Sequence, residues 1–159
     1  MAKALTTTEI LKQWCKSTLL SVLFALVIQA ITTQMGNGNE NLPSPEECED
    51  LKTKNSMSRF KSFEQFYPFY LCEHTLGKTK LFHFITSINV IVILAVLLIR
   101  KWQWKLFMFG LLQGYGTAWI SHFFIEQNRP ATFTYPVYSF FADFKMFSEI
   151  VMLRYPPFV

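Results

Sequence analysis

Charge is what this chain has least of. Only 16% of its 159 residues are Asp, Glu, Lys or Arg, against about 25% in an ordinary soluble domain. That scarcity excludes a disordered chain, a long coiled coil and a nucleic-acid binder that reads phosphates with a dense basic face. The net charge of +4 instead flanks apolar segments, as charge does beside membranes. Cysteine is also sparse. Cys15, Cys48 and Cys72 are far apart and form no C-x-x-C. Neither a zinc ribbon nor a disulfide framework is expected, and each thiol reads as small apolar filler. The chain has no N-x-S/T acceptor, G-x-S-x-G elbow, P-loop or G-x-G-x-x-G. Hydrolases of the nucleophile-elbow type and nucleotide-binding folds are therefore set aside. Three histidines are too few for the many-histidine di-iron membrane hydroxylases.

What is present is apolar and aromatic: 51% and 17% of residues, with 17 phenylalanines. A chain this short holds one domain. Residues 17–35 begin with an uncharged apolar run, Ser17–Ile31, preceded by Lys3, Lys12 and Lys16. The run suits a membrane anchor, a signal-peptide core or an interfacial helix. Residues 36–57 turn to Gly, Asn, Pro and acids and read as a polar linker. A module over 58–159 follows. Ser62-Phe-Glu-Gln65 resembles a capping box opening a helix to about His74, which Pro68 is expected to kink or break. Its many aromatic rings suit a membrane interface.

Residues 81–99 carry no charge and span roughly 28 Å as a helix, close to the thickness of a hydrocarbon core. Twelve Leu, Ile, Val or Phe between Phe84 and Ile99 favour insertion by roughly 4–7 kcal/mol, more than Asn89 costs. The basic, aromatic loop 100–105 has membrane-boundary composition. A second span is expected over 106–125, with Gly110 and Gly114 in a G-x-x-x-G that lets helices approach closely. Pro130 and Pro136 close the helical run. A last, aromatic helix covers 137–153. The fold class is thus an all-α, multi-pass membrane protein: a two-span hairpin with flanking interfacial helices and an N-terminal anchor.

The hairpin has a chemical consequence. His83 begins the first span and His122 ends the second, so both reach one membrane face. His74 lies nine residues before His83 across a short turn. Three imidazoles converge by topology. Such a set with open positions suits non-haem Fe(II), and Zn is the alternative. Glu126, four residues after His122, is either a ligand or a partner of Arg129. Glu73 stands beside His74. Arg129 is a fork for a carboxylate or a headgroup contact. Tyr115 and Trp119 share the His122 face and read first as packing aromatics. If residues 17–35 span, the histidines lie across the membrane from the N-terminus.

Three blocks carry a resemblance: FYPFYLCEHTLGKTKLFHF over 66–84, GYGTAWISHFFIEQNRPATF over 114–133 and YPVYSFFADFKMF over 135–147. Together they resemble the family of small membrane proteins related to fungal 2-hydroxy-fatty-acid dioxygenase, and the likeness runs over about 59–152. It implies an Fe(II)-dependent, multi-pass enzyme of the endoplasmic reticulum that shortens 2-hydroxy fatty acids by one carbon with O2. It also implies His74, His83 and His122 as metal ligands. Where the family's short branch has Asn-Pro this chain has Thr75-Leu76-Gly77, and Ser121 stands where Gly is usual. The competing expectation is a membrane protein that keeps the fold to bind lipid or scaffold partners.

Overall fold

A computed structural model describes residues 5–35, 42–99, 103–154 and 157. Within them the chain is all helical: α1 (Thr7–Met35), α2 (Pro45–Met57), α3 (Phe63–Cys72), α4 (Gly77–Ile99), α5 (Trp104–Ser121) and α6 (Pro136–Val151). A π-helical turn covers His122–Glu126 and a 3-10 turn Ala131–Phe133. Residues 100–102 of the expected basic loop lie outside the described residues.

α4 is the axis, packed by α5 on one side and α1 on another. α1 runs antiparallel to it. The Leu5 amide donates to Gln103 Oε1 at 3.0 Å, Ser17 Oγ to Asn89 Oδ1 at 2.5 Å, and Phe24 meets Phe84 with ring centres 5.9 Å apart. Asn89 Nδ2 also donates to Thr18 Oγ1 at 2.9 Å. The polar interruption in the most apolar helix is thereby satisfied by α1. α5 approaches α4 closely at its glycines. A Cβ on Gly110 would sit 3.1 Å from Ile93 Cγ2, and one on Gly114 3.4 Å from Val90 Cγ2. The expected G-x-x-x-G contact is thus present.

Two helices, α1 and α4, are long and apolar enough to cross a membrane. α5, expected as a span over 106–125, is not among them. Gln113, Tyr115 and three glycines dilute its apolar content, and the α-helix stops at Ser121.

Three further expectations change. Residues 45–57, read as linker, form α2. Its start is a complete capping box, with Ser44 Oγ accepting from Glu47 N (3.2 Å) and Glu47 Oε2 from Ser44 N (2.7 Å), and Pro45 at the first helical position. Polar composition does not preclude structure here, because Ser44, Pro45 and Glu47 are strong helix-start signals. Pro68 does not break α3. A proline removes one backbone donor, and the buried Phe66, Tyr67, Phe69 and Tyr70 hold the helix through it. Those rings fill the main core with Ala25 and Ile28 of α1, Phe84 of α4, and Ala142, Met146 and Ile150 of α6. Finally, Cys48 and Cys72 are disulfide-bonded, joining α2 to α3. Their spacing gave no motif because the pairing is made by helix packing and not by local sequence.

Candidate metal centre

The three histidines reach one point from three elements. His74 follows α3, His83 lies in the second turn of α4, and His122 opens the π-turn after α5. All are buried, at 0%, 3% and 3% exposure. One ligand nitrogen from each lies within 4.8 Å of the others, and the ring centres are 4.4–5.1 Å apart.

Each ring is held by its Nδ1. His74 Nδ1 meets the Tyr70 carbonyl oxygen at 2.6 Å, His83 Nδ1 meets Asp143 Oδ1 at 2.6 Å, and His122 Nδ1 meets Asn128 Oδ1 at 2.7 Å. The identity of the partners decides the protons. A carbonyl and a carboxylate only accept, so the first two Nδ1 atoms donate. Asn128 is oriented because its Nδ2 donates to the Glu73 carbonyl (3.0 Å) and to Glu73 Oε2 (2.9 Å). Its oxygen therefore faces His122, whose Nδ1 also donates. All three rings then carry a proton on Nδ1, which in a neutral imidazole leaves the lone pair on Nε2. The buried Nε2 atoms of His74 and His83 have no hydrogen-bond partner. An unpaired buried acceptor costs about 1–3 kcal/mol, and two so close together, beside a third ring, are the signature of a cation's ligands. Nδ1-anchored histidines presenting Nε2 are how metal sites are supported. The donor set fits a metal ion.

Electrostatics agree. Burial, then the neighbouring His83 and His122 rings, hold the His74 imidazole well below the ordinary histidine range, so it stays neutral and able to ligate. Burial also raises the Glu73 carboxyl above its usual value.

The local backbone serves the same end. The π-turn closes on Gln127, a non-glycine residue at φ 57°, and Asn128 N donates back to the His122 carbonyl at 3.1 Å. The wider turn and the left-handed residue bring Asn128 beside His122, a use for which π-turns recur at functional sites.

The structure places the other expected residues differently. Glu126 is not grouped with the imidazoles. Its Oε1 accepts from Thr75 N at 2.8 Å and Thr75 Oγ1 at 2.5 Å, and its carboxylate also faces Leu76 N at 3.3 Å. It thus caps free amides just before α4, where a carboxylate is favoured by the helix dipole. Arg129 is exposed, with its guanidinium 5.5 Å from the centre of the Phe133 ring. It pairs with Glu126 in none of the ion pairs described. Trp119 packs on Phe133, and Tyr115 lines an apolar groove between α4 and α5. Sequence reasoning missed Asp143 and Asn128. Asp143 also accepts from Tyr70 Oη. The available signal was an isolated acid in the aromatic run Tyr138-Ser-Phe-Phe-Ala-Asp143-Phe, where a carboxylate needs a polar partner.

No curated protein and no solved structure gives a match. Residues 60–155, more than half of the chain and every metal-site residue, match the family described as "2-hydroxy-palmitic acid dioxygenase Mpo1-like", and the chain belongs to that Mpo1-like family.

Proposed function

We propose that this protein is an Fe(II)-dependent dioxygenase of the endoplasmic reticulum membrane that shortens 2-hydroxy fatty acids by one carbon with O2. The observation that carries the reading is the inward set of imidazoles, with every Nδ1 anchored and two buried Nε2 atoms left without a partner. Three histidine ligands leave coordination positions open, which suits non-haem iron better than a closed structural zinc site. When bound, iron supplies redox chemistry toward O2 and open positions for the substrate's oxygens.

The protein's residues supply the rest. His74, His83 and His122 hold the ion through Nε2. Asp143 keeps His83 in its ligating tautomer, and Glu73 does the same for His122 by orienting Asn128. Glu126 acts by holding the 75–76 turn beside His74. Arg129 stands at the surface over Phe133, where its fork meets a carboxylate arriving from the membrane boundary. Burial of the imidazoles keeps bulk water from the site.

The test uses full-length protein purified in detergent and loaded anaerobically with Fe(II). Bound iron, O2 uptake with 2-hydroxyhexadecanoate and a product one carbon shorter are expected. An iron-loaded protein that consumes no O2 with this acid overturns the reading. A folded protein that takes up no iron supports the lipid-binding alternative.

A further inference from the structure

A groove of about 270 Å³ runs between α4 and α5 and is bordered by Phe140, Asp143 and Phe144 of α6. Its lining is graded. At one end stand Thr86, Ser87, Thr132 and Asp143; at the other, Ile93, Leu94, Leu97 and Phe107. The polar end meets the metal centre at Asp143. Asp143 is the residue that accepts from His83 Nδ1. Ser87 lies one helical turn after His83, and Ala118 one turn before His122. From Ser87 to Leu97 the groove extends about 15 Å along α4.

Its depth comes from missing side chains. Gly110 and Gly114 line it, and a Cβ on either points at α4, toward Ile93 and Val90. The small residues that let the helices approach also leave a slot beside the contact.

We propose that this groove holds the acyl chain of the substrate, carboxyl end at the histidines and methyl end at Leu97 and Phe107, and that Gly110 and Gly114 set the chain length it admits. The inference rests on the dioxygenase reading above for the identity of the chain. Continuity through Asp143 favours a substrate over a lipid tail, because a polar end one turn from two ligands has no use for a hydrocarbon bound alone.

The test is photolabelling of the full-length protein in phosphatidylcholine nanodiscs, where lipid tails compete in large excess. The probe is a 2-hydroxy long-chain acid with a terminal diazirine. Labels are expected on Leu94, Leu97 and Phe107, displaced by 2-hydroxyhexadecanoate. Labels spread over the outward-facing Leu98, Leu112 and Ile120 overturn the proposal. So does labelling that 2-hydroxyhexadecanoate leaves in place. Gly114→Leu should weaken 2-hydroxyhexadecanoate by at least about tenfold while changing 2-hydroxyhexanoate little, and Leu97→Ala should extend the accepted length. Equal loss for both acids in Gly114→Leu, with no shift in Leu97→Ala, also overturns it. Groove labelling without O2 uptake would leave the groove assignment standing and remove the enzyme. Turnover with labels outside the groove would do the reverse.

Discussion

The two ends of α4 are built on opposite terms. Around its N-terminal turns each histidine is held by one polar anchor: one carbonyl for His74, one carboxylate for His83, one amide for His122. Around its C-terminal turns Ile93 and Leu97 pack with Ile10 and Leu106 in a wholly apolar cluster. The first end is specified by hydrogen bonds whose loss leaves a buried group unpaired. The second is specified by volume, which several side chains can supply. One helix thus joins a chemically exacting site to a tolerant shaft.

The sharpest way to break this comparison is to ask whether the ends lie on opposite sides of a membrane. α1 and α4 are each long and apolar enough to span, and the Cys48–Cys72 disulfide lies at the His74 end of α4. Cysteines placed at Gln103 and Gln127 should label from opposite faces of sealed vesicles, all or none. Labelling of both from one face would remove the spanning arrangement.

Next in size is the metal. Single alanine variants of His74, His83 and His122 should each lower iron affinity more than about 100-fold, and the triple variant should lose little more, since residues of one site are non-additive. Helix content should persist, because the shaft does not depend on the ion. Full iron retention in all three variants would show that the site is not the one described. Asp143→Asn should follow at about 10–100-fold weaker iron binding. The amide's oxygen still accepts from His83 Nδ1, so the loss measures the negative charge and not the geometry. An unchanged affinity would mean that Asp143 serves Tyr70 alone.

Smaller effects belong to the shaft. Ser17→Ala removes a donor from Asn89 and should cost about 0.6 kcal/mol in a reversible unfolding measurement, the average for such bonds between membrane helices. Thr18 still accepts from Asn89, which keeps the loss small. The smallest effects, and the most discriminating, are two glycine substitutions. Gly116→Ala meets nothing within 4 Å and should stabilise α5 by about 0.5–1 kcal/mol through helix propensity. Gly110→Ala gains the same propensity but presses on Ile93, so its melting temperature should fall below that of Gly116→Ala. Equal values would show that the α4–α5 contact is looser than the structure has it.

The convergence of the histidines was legible in the sequence because it follows from topology: two helices, one short connection and a turn. The helical class was legible for the same reason, since apolar runs and caps are local. Local signals also misled. The capping box at Ser44–Glu47 lay in plain view, yet a polar composition outweighed it. Pro68 is a breaker in isolation, but the penalty of one lost bond is small against a helix buried among aromatic rings.

By itself the sequence determined which residues are scarce enough to matter. Three histidines, an Asn-Arg-Pro run and a lone aspartate among phenylalanines have few alternative uses in so apolar a chain. Only the tertiary structure decided what each does. Glu126, four residues from His122 and a plausible ligand by spacing, turns to the free amides before α4. Asp143, sixty residues from His83, becomes its anchor. The reason is physical. Spacing along a helix says which residues share a face, but hydrogen bonding within a buried site depends on which acceptors the neighbouring elements bring within 3 Å, and that is settled only when the helices pack.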